Sequence, residues 1–292
     1  MNDIRATPQR DVPRFVPPQV FFVASAIFHY LGPAGAVLLF AHIAPAGVAW
    51  LRIVSAAVVL AAWRRPWRIG RRISGHEYRL VLALGVVLGT MNIVFYFALA
   101  RLPLGTVAAI EFLGPVGLAA WGTRTLRNGA ALALVVAGVA LLARVRIVND
   151  LAGYGFAFAN CALFVLYVVL GHKLASSRKA SGIDLLALAM MVAAAVALPA
   201  GFAEAVPAFG SLPLLGAAVA VGVCSSVVPY VCDQLAMARL PRASFALMLS
   251  LLPALAVIIG IVVLHQFPAP SEAAGIAIVI AGVALHRTRD AA

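Results

Sequence analysis

Apolar residues run through this 292-residue sequence in ten long blocks, separated by short stretches rich in proline, glycine and arginine. The blocks cover approximately 18–41, 46–63, 80–99, 104–122, 128–144, 153–173, 183–203, 212–236, 241–264 and 271–286. Their lengths approach the roughly 20 residues that carry a helix across a ~30 Å hydrocarbon layer. Ala44-Pro45-Ala46-Gly47, Leu102-Pro103, Leu240-Pro241 and Phe267-Pro268-Ala269-Pro270 are breakers between neighbouring blocks. Only the connection 64–79 is long, which leaves no room for a soluble domain. The predicted fold is an all-α polytopic membrane protein with ten transmembrane helices.

Composition agrees. Apolar residues make up 64% of the chain, charged residues 11%, and mean hydropathy is +1.03. Soluble domains run at about half apolar and a quarter charged, so that class is excluded. The formal charge of +12, from 22 Lys+Arg against 10 Asp+Glu, would suggest nucleic acid in a soluble chain. Here its distribution matters more. With the N-terminus inside, 18 basic residues fall on the inner side, and only Arg101, Arg144 and Arg146 on the outer, while Arg52 lies within a block. Basic loops stay cytoplasmic. The expectation is a multi-pass protein of the bacterial inner (plasma) membrane with both termini cytoplasmic, and no nucleic-acid partner. Residues 1–16 form a basic tail rather than a signal peptide, because the apolar run continues past Ala24-Ser25-Ala26 to Ile43.

The chain also repeats itself. ALARLPLGTVAAIEFLGPV (98–116) aligns with AMARLPRASFALMLSLLPA (236–254) at an offset of 138, and VVAGVAL (135–141) with VIAGVAL (279–285) at 144. The repeat unit holds five blocks, and an odd unit inserts its second copy upside down. Two inverted five-helix repeats, 17–147 and 148–288, imply a pseudo-two-fold axis in the membrane plane, as in alternating-access carriers.

The stretches 88–116 and 225–260, with Leu51-Arg52 at the start of the second block, resemble EamA-type members of the drug/metabolite transporter superfamily. The branch most similar is that of bacterial amino-acid exporters, for threonine/homoserine and for aromatic amino acids. The resemblance implies two EamA repeats over about 18–287 and export of amino acids. It departs at Leu252, where members commonly carry a glutamate, and at His265-Gln266, where they often carry Gly-Glu; Glu111 matches.

Candidate residues follow from polarity inside apolar blocks. An ionised carboxylate there costs at least ~2.5–3.5 kcal/mol, so Glu111 faces a wet cavity or a partner, or is protonated. It reads either as a contact for a substrate ammonium or titrating site, or as a neutral carboxyl bonded between helices. Asn92 with Tyr96, Asn160 with Tyr167, and Ser226 with Tyr230 each share a helix face by spacing. Amides and hydroxyls on apolar walls suit a zwitterion with a variable side chain, though such residues also join helices. Arg52 reads as a snorkelling anchor, or as a carboxylate contact or outer gate. Asp233 reads as an interfacial ion pair with Arg239 and Arg242. Gly114, Pro115 and Pro253, at matching repeat positions, read as static kinks or paired hinges. Cys161, Cys224, Cys232 and the histidines His29, His42, His172 and His265 have no metal spacing, so no metal or cofactor is expected.

No nucleotide-binding Gly-rich motif, H-E-x-x-H or paired intramembrane acids occur, which argues against an ATP-driven pump or an enzyme. The expected function is secondary export of neutral amino acids (threonine/homoserine-like and methionine) and aromatic ones, with protons as a candidate coupling ion and the lipid bilayer as the other partner. A monomer is compatible with it. A sugar-phosphate or nucleotide-sugar carrier is the alternative, disfavoured because Arg52 is the only deep basic residue.

Overall fold

The computed structural model describes residues 16–69, 73–114, 125–146, 150–177, 180–240, 245 and 252–285. The helices among them are α1 (Pro18–Leu39), α2 (Pro45–Arg64), α3 (Gly75–Leu99), α4 (Leu104–Glu111), α5 (Leu126–Arg146), α6 (Leu151–Ala175), α7 (Gly182–Phe209), α8 (Leu212–Gly222), α9 (Val228–Met237), α10 (Leu252–Leu264) and α11 (Pro270–Leu285). A π-helical turn, Val223–Val227, runs straight from α8 into α9. No strand occurs among the described residues.

Local chemistry sets the boundaries. Prolines open α1, α2 and α11, where a missing N–H costs nothing because the first-turn donors are unpaired anyway. Ser74 and Glu77 form a capping box at the start of α3, and Asp150 caps α6 by accepting from the Gly153 N–H. Six helical segments are long and apolar enough to cross a membrane: α1, α2, α3, α6, α7 and the continuous Leu212–Met237. Shorter apolar stretches lie in α5, α10 and α11, and α4 supplies eight described residues of its block. Val58, Val86, Phe202 and Val262 point outward from the bundle, as a chain solvated by lipid allows.

The helices meet through small residues, because lipid chains are as apolar as the side chains they replace and close backbone approach becomes the attraction. A methyl at Gly47 would strike the Glu204 and Ala205 backbone, while one at Gly201 would strike the Ala46 carbonyl and Trp50. The α5–α11 pair behaves alike: Gly138 faces Gly275 and Val279, and Gly282 faces Ala131 and Val135. Both contacts are reciprocal: residue i of one helix meets j of the other, and their counterparts meet in return.

The two ends differ. At one end Arg64 pairs with Asp184 at 2.5 Å, Ser177 donates to Glu77, and Arg239 donates to the Val16 carbonyl at 3.1 Å. At the other, Arg101 meets Asp150 at 3.4 Å and the Leu104 N–H donates to Gln266 Oε1 at 3.2 Å.

Candidate functional site

Glu111, the last residue of α4, is 3% exposed at the centre of the bundle. Its Oε1 accepts from Asn160 Nδ2 at 2.9 Å, its Oε2 accepts from Tyr30 Oη at 3.4 Å, and His29 Nε2 lies 3.9 Å from Oε2. The acid is therefore held from α1 and α6 by neutral or protonatable groups. The Asn160 Oδ1 atom is buried with no hydrogen-bond partner among the described residues.

Arg52 stands opposite, on α2, and is also 3% exposed. Its Nε donates to Ser226 Oγ at 2.8 Å and its Nη2 to the Ser225 carbonyl at 2.7 Å; the guanidinium lies 5.3 Å from the centre of the Tyr96 ring. The sequence explains why that carbonyl is available. Pro229, four residues on, has no N–H to offer Ser225, so the arginine supplies the donor. The π-turn 223–227 is the local widening that accompanies this break. Proline acts on α1 too: Pro33 removes the N–H that would bond the His29 carbonyl. The two breaks sit side by side, since a methyl on Gly32 would overlap the side chain and backbone of Ser225.

A small cavity of about 10 Å³ lies between these groups, walled by His29, Pro33, Arg52, Met91, Asn92, Phe95, Glu111, Asn160 and Tyr230. That is room for about one water. A second, wider cavity of about 550 Å³ opens at the Arg101/Gln266 end, between Val37, Phe40, Leu99, Thr106, Val257 and Ile276. Both cavities use α1, α3 and α4, separated by roughly one to two helical turns. Phe40 and Tyr96, meeting edge to face at 5.9 Å, form part of the floor between them. The centre is thus closed, with a vestibule on one side and the Arg64–Asp184 and Glu77–Ser177 ties on the other.

The remaining expected residues distribute unevenly. Asn92 donates to the Leu88 carbonyl at 2.7 Å and to Tyr230 Oη at 3.3 Å, and both line the small cavity. Tyr96 lies beneath Arg52, and Ser226 holds Arg52; neither lines that cavity. Tyr167 is elsewhere: its hydroxyl donates to Asp233 Oδ2 at 2.9 Å, and its ring lies 5.5 Å from that of Tyr230. Gly114 packs where α4 continues against Cys161 and Val165 of α6. Pro115 lies outside the described residues, and Pro253 is the second residue of α10.

Three readings need correction. Arg52 does not snorkel, because α8, the π-turn and α3 cover it. Asp233 is not an interfacial ion pair: it is 6% exposed and accepts from Ser25 Oγ at 2.5 Å as well as from Tyr167. Arg239 instead bonds the Val16 carbonyl and lies over Phe21, while Arg242 is outside the described residues. His29, given no role from sequence, lines the cavity beside Glu111. The missed signals were polar residues one turn before a proline: His29-Tyr30 before Pro33, and Ser225 before Pro229.

Residues 151–288 match the EamA-like transporter family. The chain is similar to the threonine/homoserine exporter RhtA of Escherichia coli (strain K12), 29% identical over 275 residues covering 93% of this chain and 91% of that one. RhtA of Salmonella typhimurium (strain LT2) is 29% identical over 260 residues, covering 88% and 86%. A solved crystal structure superimposes with a TM-score of 0.62 at 18% identity, covering 92% of this chain and 96% of that one, which shows a shared fold.

Proposed function

We propose that this chain, an EamA-type transporter, exports neutral and aromatic amino acids across the bacterial inner membrane by alternating access, with threonine and homoserine as the reference substrates. The observation that carries this is one cavity bearing the Arg52 guanidinium and the Glu111 carboxylate on its walls. Those charges complement a zwitterion: carboxylate to Arg52, ammonium to Glu111 and the unpaired Asn160 oxygen. Met91, Phe95 and Pro33 leave an apolar wall for the side chain. A phosphorylated sugar would meet Glu111 as a like charge.

The ten-helix inverted repeat fits the packing. Asn92 and Tyr230, which touch, are separated by the repeat offset of 138. The α5–α11 glycine contacts interchange under the offset of 144, and the α2–α7 contacts under 154. Such self-matching contacts are what a two-fold axis produces. On this reading 17–147 and 148–288 are the two repeats, the Arg64/Asp184 end is cytoplasmic, and the vestibule faces outward. Alternating access is exchange of conformation between the halves, with Pro115 and Pro253 as hinges.

Counterflow in proteoliposomes tests the function. Vesicles preloaded with unlabelled threonine should take up labelled threonine, and an amino-acid panel should define the range. Failure of every amino acid, with success of a phosphorylated sugar, refutes the reading.

A further inference from the structure

The second buried carboxylate, Asp233, is one that binding a zwitterion does not need. It lines neither the central cavity nor the vestibule, and both of its oxygens are taken by hydroxyls. What surrounds it are hydroxyls, Ser25 on α1 and Tyr167 on α6. Among the described residues no lysine or arginine lies within ion-pair reach of it. A buried carboxylate without a countercharge is stable chiefly when it holds a proton or is about to receive one.

We propose that Asp233 carries the proton that is exchanged for substrate; this rests on the amino-acid transport reading above. The proton binds a carboxylate oxygen of Asp233 on one side of the membrane and leaves from it on the other, with no other bond changed. Tyr167 also ties this carboxylate to the centre through packing. The Tyr167 ring packs on that of Tyr230, whose hydroxyl accepts from Asn92 and is free to donate its own proton at the cavity wall. Towards the basic end, Gln234 is buried next to Asp233, its amide unpartnered among the described residues.

The geometry also links proton to substrate. α1 presents Ser25 to Asp233 and Tyr30 to Glu111, and α6 presents Tyr167 to Asp233 and Asn160 to Glu111. Asn160 and Tyr167 lie roughly 10 Å apart along one helix face. An ammonium that draws Tyr30 and Asn160 moves the same two helices that hold Asp233. Other ionisable groups on the elements around Asp233 are engaged elsewhere. His29 lies by Glu111, His172 packs on Phe245, Arg52 holds the π-turn, and Asp184 pairs with Arg64. Cys232 and Tyr230 share its own helix.

The test uses acid-inside proteoliposomes with the membrane potential clamped. One proton per zwitterion gives about tenfold accumulation of labelled threonine per pH unit. Asp233→Asn should abolish that accumulation and leave counterflow at equal pH unchanged. Accumulation in D233N, or loss of its counterflow in protein that stays monodisperse, overturns the assignment. Wild-type counterflow without pH-driven accumulation overturns it too, and leaves amino-acid transport standing. Infrared difference spectra read the site without any substrate, even should no amino acid be carried. A carboxylic-acid band that titrates in wild type and is missing from D233N supports the assignment, and a band unchanged in D233N refutes it. Should D233N not fold, Tyr167→Phe must shift the pH dependence of accumulation; an unshifted profile refutes the proposal.

Discussion

Arg52→Met separates the two roles an arginine at this place can have. The substitution keeps length and apolar bulk and removes the guanidinium. Two hydrogen bonds made by a charged group are lost, at 2.8 and 2.7 Å, together about 3–6 kcal/mol. Against this, a charge no longer has to sit in the hydrocarbon zone, which returns about 2.5–3.5 kcal/mol. The net effect thus runs from a gain of about 0.5 kcal/mol to a loss of about 3.5 kcal/mol. The substrate side has no such offset, because a carboxylate that loses its cation forfeits about 1.5–3 kcal/mol, or about 10- to 150-fold in affinity. Half-saturation of counterflow should therefore rise by that factor, while detergent-solubilised protein stays monodisperse and melts close to wild type. A protein that melts far lower, but whose surviving fraction transports with wild-type half-saturation, would show that Arg52 only braces the π-turn.

Glu111→Gln should raise half-saturation by about 10- to 150-fold for amino acids and much less for analogues lacking the α-amino group, measured by counterflow competition. Pro229→Ala returns the N–H that Ser225 lacks; stability should hold or rise while transport falls, because Arg52 loses its place on the π-turn. Gln266→Cys, on the vestibule wall, should react with a charged thiol reagent added from outside the cell, and Ser25→Cys should not. Reversed labelling would contradict the proposed orientation.

The helical blocks were legible because membrane-crossing helices satisfy their own backbone and need only apolar length. Glu111 was legible for the converse reason, as an acid in such a block is costly and therefore conspicuous. Arg52 and Asp233 were misread through one error, judging depth and partners along the chain. Distance from a block's end says nothing about which neighbouring helix covers the residue. The partners of Arg52 lie 173 and 174 residues away and those of Asp233 lie 66 and 208 away. Arg239, six residues beyond Asp233, projects from a different face of the turn that follows α9. Proximity in sequence was a poor guide there.

The reciprocal glycine contacts constrain how the molecule can move. If the halves exchange conformation as proposed, α1–α9 contacts trade places with α3–α6 contacts, and those seams open and close. The α2–α7 and α5–α11 seams map onto themselves, and an interface that is its own image has nothing to trade. On the alternating-access reading proposed above they are the stationary pivots about which the rest rocks. A covalent staple from α2 to α7 near Gly47 and Glu204 should leave the turnover cycle running, whereas one from α1 to α9 should arrest it.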